Sequence, residues 1–541
     1  MYCISESRCD NVPEYTLIIL HPYVEKTHGP IAGPTNWFIV SSVSKAGPNR
    51  WRSMVYMIGF CYPLPVTNKV CLCLCTALAM TSDLCDVDQK TIHILNDDTL
   101  LDIFDVYVDE AQGVDGWHTL VHVCRRWRNL VFASPLRLDL RVLCTEKTPA
   151  GRTMDVWPTF PIVVLGHGYP TSPGGADNII AAFEHHDRVC HISLSGVLTS
   201  LLERIAEITQ EPFLALAHLE LLLHDKSVPL LPDTFLGGSA PHLQTLNFGG
   251  IPLKPLQRLL SSATGLVDLH LWNLPHSGYI SPNEMVTCLS ELTMLQSLRL
   301  GFRSPRSFPN QSNRLQPPNT RTFFPALTSF EFHGVSEFLE DLVAQIETPL
   351  LYSVKITLFN QLIVDIVHFP QFIGRIPKFK ALIQANVVFL RHTVTVNLTP
   401  REGTAYHTAL MLRISCREPD WQLSLLGQIY SPSFPPLSTL EYLDIREDRF
   451  SRPHWLQDDM ESALLLELLS RFSAVKSLSL SPKLARLVTP ALQQLIAGSR
   501  VINVLPALKD ILLEEPQPSG LEKFVAARQL SGLPVVIHHS R

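Results

Sequence analysis

With 541 residues the chain exceeds one ordinary domain, so it is either several domains or a small module joined to an elongated repeat array. Charged residues make up 17% and the net charge is -6, which leaves no basic footprint for nucleic acid. The longest apolar runs, Met54 to Leu64 and Val70 to Met80, fall short of the roughly 20 residues a membrane-spanning helix needs, and neither is placed like a secretory signal. No membrane association is therefore expected.

Residues 1–90 carry breaks at Gly29-Pro30, Gly33-Pro34 and Gly47-Pro48 and show no sustained apolar period, so this stretch is read as a largely unstructured extension. Cys3, Cys9, Cys61, Cys71, Cys73, Cys75 and Cys85 all lie within it. The spacing Cys71-x-Cys73-x-Cys75 would put three thiols on one strand face, whereas zinc sites usually leave two to four residues between ligands, so no metal is expected. Cys124, Cys144, Cys190, Cys288 and Cys416 sit singly in apolar contexts, as reduced buried thiols do. That points to a reducing compartment, cytoplasmic or nuclear.

Residues 91–145 form the next unit. Leu100, Ile103, Phe104 and Tyr107 recur at helical spacing, and Leu120, Val123, Cys124, Trp127 and Val131 do the same in a second segment. Asp97, Asp98 and Asp102 crowd the amino end of the first helix, where negative charge suits the dipole. The order Leu95, an acidic pair, Leu100, Ile103-Phe104 and then Val123-Cys-Arg-Arg-Trp127 resembles the F-box, a short helical module. The resemblance covers under a tenth of the chain. It departs from the family at Asn96, where Pro is usual; Asn is a good helix N-cap, so the helix is kept while a Pro contact is lost. The resemblance implies docking on a Skp-type adaptor, and through it on a cullin, by Leu95, Leu100, Ile103, Phe104, Leu120, Val123, Cys124 and Trp127. The apolar stripe is accordingly read as a docking surface more than a core. An ordinary helical hairpin within a larger core is the alternative.

Leu138 to Val142 and Ile162 to Leu165 look like strands, and the Gly/Pro-rich run Gly166 to Gly175 looks like a loop, so residues 146–184 are expected to be a connector. From residue 185 to 541 the chain repeats. A hexad of the form apolar-x-x-apolar-x-apolar starts at Val189, Leu216, Leu243, Leu266, Leu295, Leu327 and Leu351, at intervals of 27, 27, 23, 29, 32 and 24 residues. It returns at Ala409, Leu440, Val475 and Leu508. Helix-like stretches lie between, among them Leu253 to Ser261, Glu284 to Leu292, Ser336 to Ile346 and Leu484 to Ile496. The spacing is that of leucine-rich repeats, in which one strand and one helix bury their apolar faces only by stacking on neighbours. The Asn or Cys ladder position of that family is mostly absent, and a two-layer α/β domain of unrelated strands stays open. The expected fold class is therefore α/β: a small all-α F-box-like module followed by an irregular leucine-rich-repeat solenoid. In this order, and in the segments DWQLSLL from Asp420, PPLSTLEYLDI from Pro435 and KFVAARQLSG from Lys523, the chain resembles the large fungal families of F-box receptors.

No catalytic constellation is evident. Gly166-His-Gly168 has no Gly-x-Ser-x-Gly elbow to accompany it, Glu184-His-His-Asp187 points its groups in different directions, and neither a Walker loop nor a dinucleotide fingerprint occurs. Asn310 and Asn397 head glycosylation sequons that a reducing compartment would leave unused. No cofactor is expected. What remains is recognition, and alternation says where. The fourth and sixth hexad residues point inward, which puts Asp268, His270, Trp272, Ser297, Arg299, Glu331, His333, Lys355, Tyr442, Asp444 and Arg446 on the open strand face as candidate substrate-binding residues. Trp and Arg are the types that most often dominate binding. The Pro-, Asn-, Ser- and Arg-rich insertion from Arg303 to Arg321 is a second candidate surface. The resemblance thus implies a non-catalytic substrate receptor of a Skp-cullin-F-box ubiquitin ligase, holding an as yet undefined protein substrate. A leucine-rich scaffold acting outside any ligase is the alternative reading.

Overall fold

The computed structural model describes residues 19–24, 36–47, 50–60, 95–110, 116–148, 159–167, 173–303, 320–359, 366–400, 409–416, 420–429, 438–448, 462–497, 504–514 and 520–539, with a few single positions besides. The chain divides into two compact units, Met1–Leu140 and Arg141–Arg541. In the first, β1 (Ile19–Val24), β2 (Asn36–Gly47) and β3 (Arg50–Phe60) form an antiparallel sheet in the order β1-β2-β3. These strands fall inside the stretch read as largely unstructured. Cross-strand pairing satisfies their backbone, a long-range contribution that a search for apolar period does not see.

Three helices follow: α1 (Asp97–Glu110), α2 (Gly116–Val121) and α3 (Arg125–Ala133). Asn96 caps α1 as its sequence position suggests, its Oδ1 accepting the Thr99 N–H at 2.8 Å. Cys124 caps α3, its Sγ accepting the Trp127 N–H at 3.5 Å. Arg126 ties the helices together: it donates to the Leu95 carbonyl at 2.6 Å and pairs with Asp97 at 2.7 Å. The apolar stripes meet each other. Leu100, Leu101 and Phe104 are buried with Trp117, Leu120, Val121, Trp127 and Val131, and the Phe104 and Trp127 rings meet edge to face at 4.7 Å. The reading of this stripe as more docking surface than core is corrected here, because three short helices have no other way to bury their own large side chains.

The second unit is built on one 16-stranded sheet. Its strands are β4 (Val142–Thr145), β5 (Ile162–His167), β6 (Val189–Val197), β7 (His218–Leu223), β8 (Thr245–Gly249), β9 (Asp268–Leu274) and β10 (Ser297–Phe302). After the short β11 (Thr322–Phe323) come β12 (Ser329–Gly334), the short β13 (Ile346–Glu347), β14 (Ser353–Leu358), β15 (Leu382–Phe389), β16 (Thr393–Pro400) and β17 (Leu410–Ser415). The last four are β18 (Tyr442–Glu447), β19 (Ser477–Leu480), β20 (Asp510–Leu513) and β21 (Val536–His539). Between them lie α4 (Pro173–Phe183), α5 (Thr199–Ile208), α6 (Gln257–Ser262), α7 (Pro282–Leu289), α8 (Ser336–Gln345), α9 (His368–Arg375), α10 (Asp420–Ile429), α11 (Ser462–Ser470), α12 (Pro482–Ala497) and α13 (Leu521–Leu530).

Each of the eleven hexads forms a strand of this sheet. Their inward residues align in register: Leu246 with Leu269, Leu269 with Leu298, Leu298 with Phe330, Phe330 with Val354. All are at most 1% exposed. A repeat array, not a layer of unrelated strands, is the architecture. It also begins earlier than residue 185, because β5 and α4 occupy the expected connector and β4 precedes it. Gly174 and Gly175 in the first turn of α4 hide its helical pattern.

One break interrupts the regular order. From β14 the sheet runs β17, β16, β15 and then β18, so chain order is reversed across three strands. β16 is antiparallel to both its neighbours, while the rest of this sheet is parallel. Carboxylates from adjacent repeats fix the helices. Glu340 on α8, 3% exposed, accepts the Val367 N–H at 2.8 Å and the Phe369 N–H at 2.9 Å, while Asp225 accepts the Thr199 N–H and hydroxyl at the start of α5.

Two stability outcomes follow from this packing. Leu298→Ala, in the middle of the ladder, is expected to cost about 2–5 kcal/mol in denaturant unfolding, and Phe104→Ala about 3–5 kcal/mol of the helical module's stability. Unchanged midpoints would remove these residues from the core.

Candidate functional site

The sheet has one face made by inward leucines and one lined by the residues between them, and the second is the candidate site. Register fixes which side chains are neighbours. One row runs Ser193, Glu220, Asn247, His270, Arg299, Glu331 and Lys355 on β6 to β14. It continues through Met411, Asn397 and Asn386 to Asp444 and Ser479. A row one step earlier contains His191, His218, Thr245, Asp268, Ser297, Ser329 and Ser353. A row one step later contains His333, Thr357, Arg413, Thr395, Val388 and Arg446.

All the substrate-face residues expected from alternation stand on this face. Asp268, His270, Trp272, Arg299, Glu331, His333, Lys355 and Asp444 are half-buried among their neighbours, and Tyr442 and Arg446 are exposed. The structure brings them together in two groups and not one. Asp268 to Lys355 lie on adjacent strands, whereas Asp444 is four strands beyond Lys355, on the order of 19 Å at the usual strand spacing. Trp272 packs against the next strand: a Cβ added at Gly301 would fall 2.9 Å from its Cε3, so the glycine makes room for the ring.

Polar contacts link the rows. Glu220 accepts from Ser193 at 3.0 Å and from Asn247 at 2.8 Å. Arg299 and Glu331 form an ion pair at 3.6 Å, and Arg446 pairs with Asp444. The imidazoles of His191 and His218 stack at 4.1 Å with planes 5° apart. Burial, the neighbouring His218 and Arg141 push the pKa of His191 down to about 4, and burial likewise lowers His218, His270 and His333. The sequence reading passed over His191, His218, Glu220 and Arg413, although the same alternation applied to every hexad finds them.

The adaptor candidates separate by exposure. Leu100, Phe104, Leu120 and Trp127 are interior, Leu95 and Ile103 are half-buried, and Val123 and Cys124 are exposed. The exposure of Cys124 also departs from the expectation of a buried thiol. Cys71, Cys73, Cys75, Asn310 and nearly all of the Arg303–Arg321 insertion lie outside the described residues. Among the described residues no group of three or more His, Cys, Asp and Glu is placed to hold a metal, and no helix is long and apolar enough to cross a membrane. Glu184, His185, His186 and Asp187 form a turn between α4 and β6, where His186 lies 6.0 Å from the Phe213 ring.

The histidines give the face a pH response. With folded pKa values below 6.5, these rings bind fewer protons folded than unfolded as pH falls from 6.5 toward about 4, so stability is lost in that window. The melting temperature is expected to fall more steeply there in the parent than in His191→Gln/His218→Gln. Parallel slopes in the two proteins would show that the pair does not carry the effect.

No family model matches the chain, and no curated protein matches it. Among solved structures it is similar to the leucine-rich repeat-containing protein LegL7 from Legionella pneumophila, at 13% identity and a TM-score of 0.26 over 73% of this chain and 99% of that one. It is also similar to the TLR13 of a TLR13-ssRNA13 complex, at 13% identity and a TM-score of 0.29 over 69% of this chain and 45% of that one. Likenesses at this level carry no argument, and the repeat architecture rests on the ladder and its register.

Proposed function

We propose that the chain is a substrate receptor: the repeat sheet holds a protein ligand, and the F-box-like helices carry it to a Skp-type adaptor and so to a cullin. The observation that carries the recognition half is the polar row from Ser193 to Ser479, set opposite a leucine row with no exposure to spare. A face of half-buried Trp, Arg, His and carboxylate side chains on a rigid ladder suits a protein surface. In this reading ubiquitin transfer belongs to other subunits, and the chain contributes proximity.

The adaptor half rests on the order of residues from Leu95 to Trp127 and on the surface that module leaves open. Leu95, Ile103, Val123 and Cys124 are the contacts available to a partner. A second reading, an interaction scaffold outside any ligase, is favoured by the interior position of Leu100, Phe104, Leu120 and Trp127, which serve the module itself.

Co-precipitation of the full chain with a Skp-type adaptor decides between them. The parent is expected to retain the adaptor, and Val123→Glu, at a position 43% exposed, is expected to lose it by tenfold or more with its melting unchanged. Failure of the parent to retain the adaptor would leave the scaffold reading.

A further inference from the structure

The strands at the reversal differ in charge from the rest of the face. β14, β17, β16 and β15 are adjacent and contain no Asp or Glu, and their charged residues are Lys355 and Arg413. The nearest carboxylates in the central row are Glu331, already paired with Arg299, and Asp444, already paired with Arg446. Among the described residues neither Lys355 nor Arg413 has an ion pair, and Arg413 is exposed. Lys355 has one carboxylate for a direct register neighbour, Glu331, which is shared with Arg299, while Arg413 has none on its own strand or on either adjacent one.

A second observation falls at the same place. Thr395 faces the open side of β16, since Val394 and Val396 on either side are buried, and it sits between Arg413 and Val388 in register. It is 6% exposed, and its hydroxyl has no hydrogen-bond partner. Buried polar atoms are nearly always satisfied, so an unpartnered hydroxyl in register beside a cation with no ion pair marks a place where a polar group is missing.

We propose that this carboxylate-free patch receives an acidic segment of the protein ligand, an extended peptide with Asp or Glu at alternate positions. Lys355 and Arg413 occupy diagonal positions on adjacent strands, because Lys355 pairs with Met411 and Arg413 with Thr357. Diagonal neighbours lie about 7–8 Å apart, and alternate residues of an extended chain are about 7 Å apart. One carboxylate then meets the Lys355 ammonium and the next the Arg413 guanidinium, with the Thr395 hydroxyl beneath as a further donor. The carboxylates on the two flanks are each within reach of an arginine, Glu331 of Arg299 and Asp444 of Arg446. The inference rests on the reading of the sheet face as the ligand surface and adds the chemistry of the ligand.

The test uses the full chain and three labelled peptides of alternating sequence, Glu-Gly, Gln-Gly and phosphoserine-Gly, read by fluorescence polarisation. The Glu-Gly peptide is expected to bind at least tenfold more tightly than Gln-Gly, and the preference to weaken as salt is raised. Lys355→Gln/Arg413→Gln, which removes charge without adding bulk, is expected to abolish the preference, and Lys355→Glu/Arg413→Glu to reverse its sign. Equal binding of Glu-Gly and Gln-Gly, or a preference that survives in both variants, overturns the proposal. So does binding of the phosphoserine peptide alone, which would reassign the patch to a phosphorylated ligand. Adaptor co-precipitation by the same preparations separates the two questions: a lost peptide preference with the adaptor retained counts against this inference and leaves the receptor reading standing.

Discussion

In a parallel sheet successive side chains alternate between faces, so burying the fourth and sixth residues of each hexad fixes where the residues beside them must stand. That burial is nearly complete: Leu246, Leu269, Leu271 and Leu300 have no exposed surface, and Leu298 has 1%. Each such side chain contributes roughly 1.5–3 kcal/mol over leaving it in water. A slip of one residue in any strand would turn its leucines to solvent and its His, Arg and Glu into the core. The polar rows are therefore a consequence of the leucine rows, and the polar face inherits its rigidity from packing on the other side of the same backbone.

Much of this was legible in the sequence because the hexad is local. All eleven hexads are strands, and the helix-like stretches at Glu284 and Ser336 correspond to α7 and α8. The departures involve segments whose partners are distant in sequence. β15 and β16 lack the spaced leucine of the hexad, and only the alternation of Val394, Val396 and Leu398 with Thr and Asn marks the second of them. No local pattern states that β17 pairs with β14 ahead of them, since that choice depends on which exposed backbone edge is satisfied by which strand. β5 was seen as a strand, but its place in the array was not, for the same reason.

The helical module shows the complementary difficulty. Helical period says which residues share a stripe and does not say whether the stripe is closed by the chain itself or by a partner. Phe104 and Trp127 illustrate this: the spacing that put them on one surface was read correctly, and the surface turned out to be their contact with each other. Arg126, read only as part of a motif, is a structural residue that fastens α3 to the start of α1. Asn96 was the more transparent position, because a cap acts on its own helix within three residues.

The charges on the sheet face add a last constraint. Arg299 and Glu331 are 38% and 25% exposed and 3.6 Å apart, and a pair of this kind contributes at most about 1 kcal/mol to stability. Their placement thus matters more to what approaches the sheet than to whether it folds. Pairs at Arg299–Glu331 and Asp444–Arg446 flank four strands, β14, β17, β16 and β15, that contain no carboxylate. The reversal itself brings β16 in antiparallel to its neighbours and places Thr395 beside Arg413 and within one strand of Arg446's partner Val388. Chain topology, which the leucines tolerate because either strand direction presents alternate faces, is in this way what decides which charged side chains become neighbours on the polar face.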